Sequence, residues 1–121
     1  MAPDPEKGLC ELVFRDSIDP IVIADVWTHK IIQSNMAAAK VIGLPDIIGL
    51  DMFSLVSPAM KDELIASLIS HISVGGVREL RIDVKTASGE IVPTIATTYF
   101  INYEGKKYFV GIFHTIKELK K

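Results

Sequence analysis

The chain has 121 residues, of which 49% are hydrophobic, and it carries a formal net charge of −2. This length is enough to close one hydrophobic core but not two, so we expect a single domain. The weakly acidic charge argues against a nucleic-acid-binding surface, which needs a basic face.

Neither a membrane span nor a signal peptide is indicated, although the mean hydropathy of +0.33 is high. No stretch approaches the roughly 18 uncharged apolar residues that cross a bilayer. The opening residues, MAPDPEKG, lack the charged-then-apolar order of a signal peptide. Cys10 is the single cysteine and cannot form an internal disulfide, which favours a cytoplasmic location.

The first part of the chain predicts a helix, a β-hairpin and a second helix. Leu9, Leu12 and Val13 recur at helical spacing and indicate a short amphipathic helix over 6–16. IVIAD and KIIQS are β-branched runs separated by the turn VWTH, so they predict paired strands. Asn35 precedes the helix MAAAKVI at the N-cap position, and a glycine follows the helix.

The second part predicts one longer helix and three antiparallel strands. Ser57-Pro58 places an N-cap before a proline, and the helix that it opens extends to about Val74. The apolar stripe expected to be buried on this helix is Leu64, Ile65, Leu68, Ile69 and Ile72. The strands, joined by turns at ASGE and YEGK, are 77–86, 90–102 and 107–115.

The strands differ in how they distribute apolar residues. The strand 77–86 alternates between apolar and charged residues, whereas 21–25 and 107–115 are apolar on both faces. Strands of the second kind belong in the middle of a sheet that is covered on both sides. We therefore expect the first and last strands to be adjacent at the centre. The helices between 35 and 74 can cover one face, and the N-terminal helix or a second copy of the chain would cover the other.

Residue types that could carry catalysis are present, but their spacing does not indicate an active site. There is no nucleophile elbow, P-loop, HExxH motif or paired cysteine spacing. His29, His71 and His114 fall on a turn, a helix and a strand, and we interpret the first two as surface residues and the third as lying at a strand end. We interpret Cys10 as a packing residue because no basic partner lies beside it. A small enzyme would need Asp25, His29 and another acid to converge on an open pocket.

The order of these elements resembles that of a PAS domain. IVIAD…IIQSN resembles the opening strand-Asp-turn-strand-Asn of that family, and DIIGLDMFSLVSP resembles its short helical segment. ASGEIVP resembles a conserved hairpin of the family, and YFVGIFHTIKELKK its closing strand and exit. The resemblance spans about residues 10–121. It implies an α+β fold with a five-stranded antiparallel sheet of order 2-1-5-4-3, short helices and one longer helix on one face, and an N-terminal helix flanking the sheet.

The resemblance divides the chain into three parts and shows three departures from the family, one of which is a spacing from Asp25 to Asn35 that is one residue longer than the commonest. The parts are a flanking helix over 1–18, the PAS domain over 19–115 and the start of an exit linker over 116–121. The first hairpin lacks its usual glycine. The closing Asp-Ile-Thr motif, thought to link the core to the exit helix, is replaced by Thr115, Ile116 and Lys117.

Cofactor binding of the best-known kinds is not implied. Light-sensing flavin (LOV) members carry a cysteine where this chain has Met52 and a glutamine where it has Phe113, and their two asparagines correspond to Val84 and Thr94. Without the thiol, LOV-type flavin chemistry is excluded. The position of the axial histidine of haem-binding members falls near Leu64, which argues against haem. FAD or a small metabolite stays open as a ligand.

The resemblance implies a ligand pocket on the inner face of the sheet. The candidate lining residues are Met52, Leu64, Leu68, Val84, Thr94, Ala96, Thr98 and Phe113. For Thr94 and Thr98 we favour hydrogen bonds to nearby backbone carbonyls over a role in anchoring a ligand. We assign Asp25 and Asn35 structural roles, in the first turn and at the helix N-cap.

The function implied is that of a PAS sensor or interaction domain in a signalling protein, with a sensor histidine kinase of a two-component system as the favoured context. A small ligand or a redox event would shift the packing of the sheet against its helices. The domain itself would not be an enzyme. We expect a homodimer through the N-terminal helix and the outer sheet face, an effector domain in the same polypeptide, and no contact with nucleic acid or membrane.

Two alternatives to this reading remain open. The first is a constitutive dimerisation module that binds no ligand. The second is a regulatory domain of a cyclic-dinucleotide enzyme or of a transcription regulator.

Overall fold

The computed structural model describes residues 5–116, without the side chains of residues 5–7 and Cys10. The exit segment from residue 117 onward lies outside the described part. The helices are α1 (Pro5–Asp16), α2 (Met36–Ile42) and α3 (Lys61–Val74), with 3₁₀ turns at Met52–Leu55 and Pro58–Met60. The strands are β1 (Ile21–Asp25), β2 (Ile31–Ser34), β3 (Arg78–Lys85), β4 (Ile91–Tyr103) and β5 (Lys106–Thr115).

The five strands form one antiparallel sheet of order β2-β1-β5-β4-β3. The expected fold class and strand order are confirmed. β1 and β5 lie side by side, with Ile23 opposite Val110, and β5 pairs with β4 along its whole length. The two strands whose sequences are apolar on both faces are thus adjacent and internal to the sheet.

The inner face of the sheet packs against α2, α3 and the 3₁₀ turns. Side chains from three neighbouring strands meet there, with Ala24 opposite Phe109 and Phe109 opposite Phe100. The buried core comprises Ala24, Ile31, Ala38, Ile42, Ile47, Phe53, Val56, Leu64, Leu68, Ile82, Val84, Ala96 and Phe109. The helical layer therefore covers this face, as the sequence predicts.

The outer face of the sheet carries a second set of apolar side chains that does not belong to this core. Val110 is only 4% exposed, yet it packs outside the core cluster, between Ile23 and Tyr99 on the neighbouring strands. We call the apolar side chains of this face the outer patch: Ile21, Ile23, Ile95, Tyr99, Ile101, Tyr108, Val110 and Ile112.

Helix α1 flanks the sheet ahead of β1 and lies beside α2. Its apolar residues Leu9, Leu12 and Val13 are 62%, 45% and 71% exposed. These three side chains are therefore largely exposed, whereas Phe14 on the same helix is half-buried.

The start of the long helix differs from the expectation. Ser57 makes no side-chain cap, Pro58 opens a 3₁₀ turn, and α3 begins only at Lys61. The reason is that this segment is held at the sheet edge. The Ser57 N–H donates to the Asp83 carbonyl at 2.8 Å, and Val56 bridges to β3, which keeps the backbone extended.

The buried stripe of α3 also differs at two positions. Ile69 is 62% exposed, whereas His71, which we expected at the surface, is fully buried. The His71 Nε2–H donates to the Gly76 carbonyl at 2.7 Å, and its ring meets Phe100 edge-on at 4.9 Å between centroids. The imidazole thus provides a hydrogen-bond donor for a backbone carbonyl of the turn that connects α3 to β3.

Asn35 connects α2 to the beginning of β1. Its Oδ1 accepts from the Ala38 N–H at 3.0 Å, as an N-cap, and from the Ile21 N–H at 3.0 Å. Its Nδ2 donates to the Asp19 carbonyl at 2.8 Å. Since the side chain is 2% exposed, water cannot replace these partners.

Replacing Asn35 with alanine should destabilise the domain by more than the roughly 1 kcal/mol of a simple N-cap. Two further buried backbone groups would lose their partners, so we expect a total of about 2–4 kcal/mol by urea unfolding. Asn35→Ser keeps an oxygen acceptor for the Ala38 N–H and loses the bonds to Ile21 and Asp19, so it should fall between the wild type and Asn35→Ala. Equal losses in the two variants would contradict this division of roles.

Candidate functional site

A cavity of about 70 Å³ lies between the inner face of the sheet and the helical layer. We call it the inner cavity. Six of the eight candidate pocket residues line it: Met52, Leu64, Leu68, Val84, Thr94 and Phe113. Ala96 and Thr98 are fully buried on the same face of the sheet but do not line the cavity.

Further lining residues come from parts of the chain that sequence reasoning did not assign to a pocket. They include Val22, Ile31, Val41, Ile47, Phe53 and Phe109. The alternation of side chains along the strands places Val22 and Phe109 on the inner face, so the sequence could have predicted these two. The others depend on how the hairpin and the turn after α2 fold over the sheet, for which the sequence has no periodic signal.

The hydroxyl groups of the two inner-face threonines donate hydrogen bonds to backbone carbonyls of the sheet. Thr94 Oγ1 donates to the Ile82 carbonyl at 2.6 Å, and Thr98 Oγ1 donates to the Arg78 carbonyl at 3.3 Å. Both bonds have the form expected of threonines that serve the fold. The surroundings of the cavity are therefore almost wholly apolar.

Phe113 takes its position from Gly111, two residues earlier on the same face of β5. A Cβ built at Gly111 would lie 2.9 Å from Phe113 Cε1 and 3.2 Å from Phe109 Cε2. The two rings therefore close over the backbone of Gly111, in space that a larger residue would fill. This packing sets how far the Phe113 ring enters the inner cavity.

Asp25 holds the turn between β1 and β2. Its Oδ1 accepts from the Trp27 N–H at 2.7 Å and the Thr28 N–H at 3.0 Å. These bonds, that from Thr28 first, hold the pKa of Asp25 below its ordinary value; burial opposes them, and the charges of Lys106 and His29 add to them. The Lys106 Nζ lies 4.0 Å from Oδ2.

The histidines are dispersed as the sequence predicts. His29 packs edge-on against Phe53 at 5.1 Å, His114 Nδ1 lies 3.4 Å from Asp19 Oδ1, and His71 is buried at the far end of α3. Among the residues that the structure describes, no group of three or more His, Cys, Asp or Glu side chains is placed to hold a metal ion. Asp25 and His29 lie at the hairpin turn and do not line the inner cavity.

Comparison with solved structures shows that the chain has the fold of a PAS domain. A PAS domain from Colwellia psychrerythraea superposes with a TM-score of 0.83 at 22% identity, over 95% of this chain and 99% of that one. The PAS domain of an HTR-like protein from Haloarcula marismortui gives 0.78 at 19% identity, over 92% of each chain. A domain of a sensory box sensor histidine kinase/response regulator from Geobacter sulfurreducens gives 0.70 at 20% identity, over 90% and 93%.

The likeness rests on structure, since no family model matches this sequence. No curated protein matches it either. The PAS resemblance is thus confirmed at the level of the fold. Across residues 5–116, none of the helices has the length and apolar character needed to span a bilayer.

Gly111→Ala should destabilise the domain by about 1–3 kcal/mol, because the added methyl displaces the rings of Phe113 and Phe109. Urea unfolding measures this loss, and side-chain NMR spectra of the two rings would report the displacement. The matched control is Gly8→Ala, where nothing lies within 4 Å. Because Gly8 lies in α1, the control should be neutral or stabilising by up to about 1 kcal/mol. A neutral Gly111→Ala would contradict the close packing described.

Asp25→Asn should lower the melting temperature near neutral pH and change its dependence on pH. Because the folded-state pKa of Asp25 is lowered, its stabilising contribution is present above the unfolded pKa of about 3.9 and is lost as the pH falls through the folded value. The melting curves of the two proteins should therefore converge as the pH falls below about 4. A gap that stays constant from neutral to strongly acidic pH would show that the charge of Asp25 does not stabilise the turn.

Proposed function

We propose that this chain is a PAS sensor and interaction domain of a signalling protein, with a sensor histidine kinase as the favoured context. The observation that carries the proposal is that the central strands are apolar on both faces, while the buried core formed with the helices lies on the inner face only. On this proposal, a second copy of the chain covers the outer face of the sheet. The proposal assigns the domain itself no catalytic step and a cytoplasmic location.

The outer patch has the composition of a surface that becomes buried on association. Its centre is the Val110 side chain, flanked by Ile23 and Tyr99, and its rim on β3 is charged, with Glu79 and Arg81 exposed. An apolar centre with a charged rim is typical of protein interfaces. Large contiguous apolar patches are rare on monomers, and burying this one contributes about 25 cal/mol per Å².

The exposed apolar side of α1 supports a homodimer in particular. Leu9, Leu12 and Val13 are exposed large apolar side chains in the single chain. In a symmetric dimer built on the outer patch, these residues have a place to bury beside it. An isologous interface needs no additional partner, because each copy supplies both surfaces.

The two faces of the sheet share the same two strands, which supports coupling between them. Along β5, Phe109 and Phe113 line the inner cavity while Val110 and Ile112 belong to the outer patch. A change in the position of Phe113 is therefore transmitted through one peptide unit to the proposed interface. A ligand that favours one of two packings would shift the population between them.

The size of the inner cavity supports a second candidate, a constitutive dimerisation module. At about 70 Å³, the cavity lies well below the roughly 300–1,000 Å³ of sites for drug-sized ligands. On this alternative the cavity is a packing defect and the domain only pairs chains. The two candidates share the dimer and differ in whether a ligand changes it.

Sedimentation equilibrium tests the dimer. We expect a concentration-dependent dimer for the wild type, and Ile101→Lys should raise its dissociation constant at least about tenfold, because it places a charge in the outer patch. Val13→Lys tests the contribution of α1 in the same way.

The matched control is Ile69→Lys. Ile69 is also an exposed isoleucine, at 62% against 38% for Ile101, but it lies on α3 in the helical layer. The control variant should leave the dimer unchanged. A monomeric wild type, or a control as disruptive as Ile101→Lys, would overturn the assignment of the interface.

A further inference from the structure

A second, more open pocket of about 340 Å³ adjoins the inner cavity. We call it the outer pocket. It is bounded by the linker residues 18–20 between α1 and β1, by Ala37, Lys40 and Val41 of α2, and by the end of β5 at 113–115. It thus lies where the chain enters the sheet and where the last strand ends.

The two pockets share a wall made of side chains. Pro20, Val41, Phe113 and Thr115 line both of them. Val41 and Phe113 are only half-buried, so their side chains face open space on one side. Because Phe113 lines both spaces, a ligand that occupies both of them must displace its ring.

The chemistry of the inner cavity selects an uncharged aliphatic group. Its lining is almost wholly aliphatic and aromatic, and the Thr94 hydroxyl is already engaged by the Ile82 carbonyl. A charged or strongly polar group would lose its hydration there without gaining partners. With about 70 Å³, the inner cavity accommodates only part of a ligand, such as a short alkyl chain.

The chemistry of the outer pocket selects one negative charge. Lys40 is exposed on its rim, and among the side chains that the structure describes no carboxylate forms an ion pair with it. The nearby Asp19 carboxylate already lies 3.4 Å from the His114 ring. One free lysine and one carboxylate favour a monoanion and oppose a second negative charge.

From this juxtaposition we infer that the inner cavity and the outer pocket form one binding site for a small amphipathic monoanion, an aliphatic carboxylate of moderate length. The alkyl chain occupies the inner cavity past Phe113, and the carboxylate lies in the outer pocket against Lys40. This inference rests on the proposed sensor function and gives its ligand a chemical class.

The position of the site explains how such a ligand would act on the domain. The Asp19 carbonyl accepts from Asn35, and the Pro20 carbonyl accepts from the Phe113 N–H at 2.9 Å. The linker that follows α1 is therefore bonded both to α2 and to the end of β5. A carboxylate held in the outer pocket contacts the linker, α2 and the end of β5. It thereby changes the position of α1 relative to the sheet.

The test uses the 121-residue chain and three eight-carbon probes: octanoate, octanol and the dicarboxylate suberate. Binding is followed by titration of amide and methyl NMR signals. Octanoate should bind saturably and shift the signals of Val41, Leu64, Phe113 and Thr115. Octanol should bind more weakly for lack of the charge, and suberate more weakly still because it carries a charge at each end.

Lys40→Met should weaken octanoate binding about fivefold and abolish the preference for octanoate over octanol, because it removes the charge and keeps the aliphatic stem. Lys40→Arg should restore the preference. The matched control, Lys85→Met, removes an equally exposed lysine at the end of β3 and should change neither value. Phe113→Ala, which removes the ring from the shared wall, should improve the binding of longer acids such as decanoate.

Three results would overturn the inference: no saturable octanoate binding, equal affinity for octanol and octanoate, or equal effects of the two lysine variants. Sedimentation of the same samples separates this failure from that of the proposed function. A dimer without octanoate binding refutes the ligand class and leaves the dimerisation module. A monomer that also binds no octanoate refutes both.

Discussion

The pairing of β1 with β5 is the constraint on which the rest of the structure depends. Both strands are apolar on both faces, so wherever they lie they require cover above and below. The helical layer satisfies the inner face and forms the core around Phe109. On the outer face, half-buried and exposed apolar side chains surround the buried Val110. The proposed dimer and the proposed sensing site are thus consequences of one requirement, because they lie on opposite faces of the same strands.

The beginning of this strand pair is also where the chain is bonded most densely. Asn35 joins α2 to Asp19 and Ile21, and the Pro20 carbonyl joins the same segment to Phe113 on β5. The first residue after β5 is held by the bond from the Ile116 N–H to the Pro93 carbonyl at 3.3 Å. The segments at both ends of the domain are therefore fastened beside the outer pocket.

Whether the domain has room for a ligand depends on whether the inner cavity is considered alone or together with the outer pocket. The inner cavity alone is too small for an ordinary ligand, which favours a filled module. Together with the outer pocket it reaches the range of small-ligand sites, with an apolar end and one cationic rim. The Phe113 ring, packed over Gly111, lines both spaces.

The sequence by itself determined the elements and the adjacency of β1 and β5, because those features have local or periodic signals, and the PAS resemblance supplied the full strand order. Alternation marked β3 as one-sided and β1 and β5 as two-sided, and Asn35 marked the start of α2. Inward parity and the PAS resemblance together named six residues of the inner cavity. Only the tertiary structure decided features that depend on packing between distant segments. His71 is buried because the turn after α3 needs its donor, and Ser57 caps no helix because β3 holds it extended. Lys40 and His114 share one pocket because α2 crosses the end of β5, and no pattern along the chain encodes that distance.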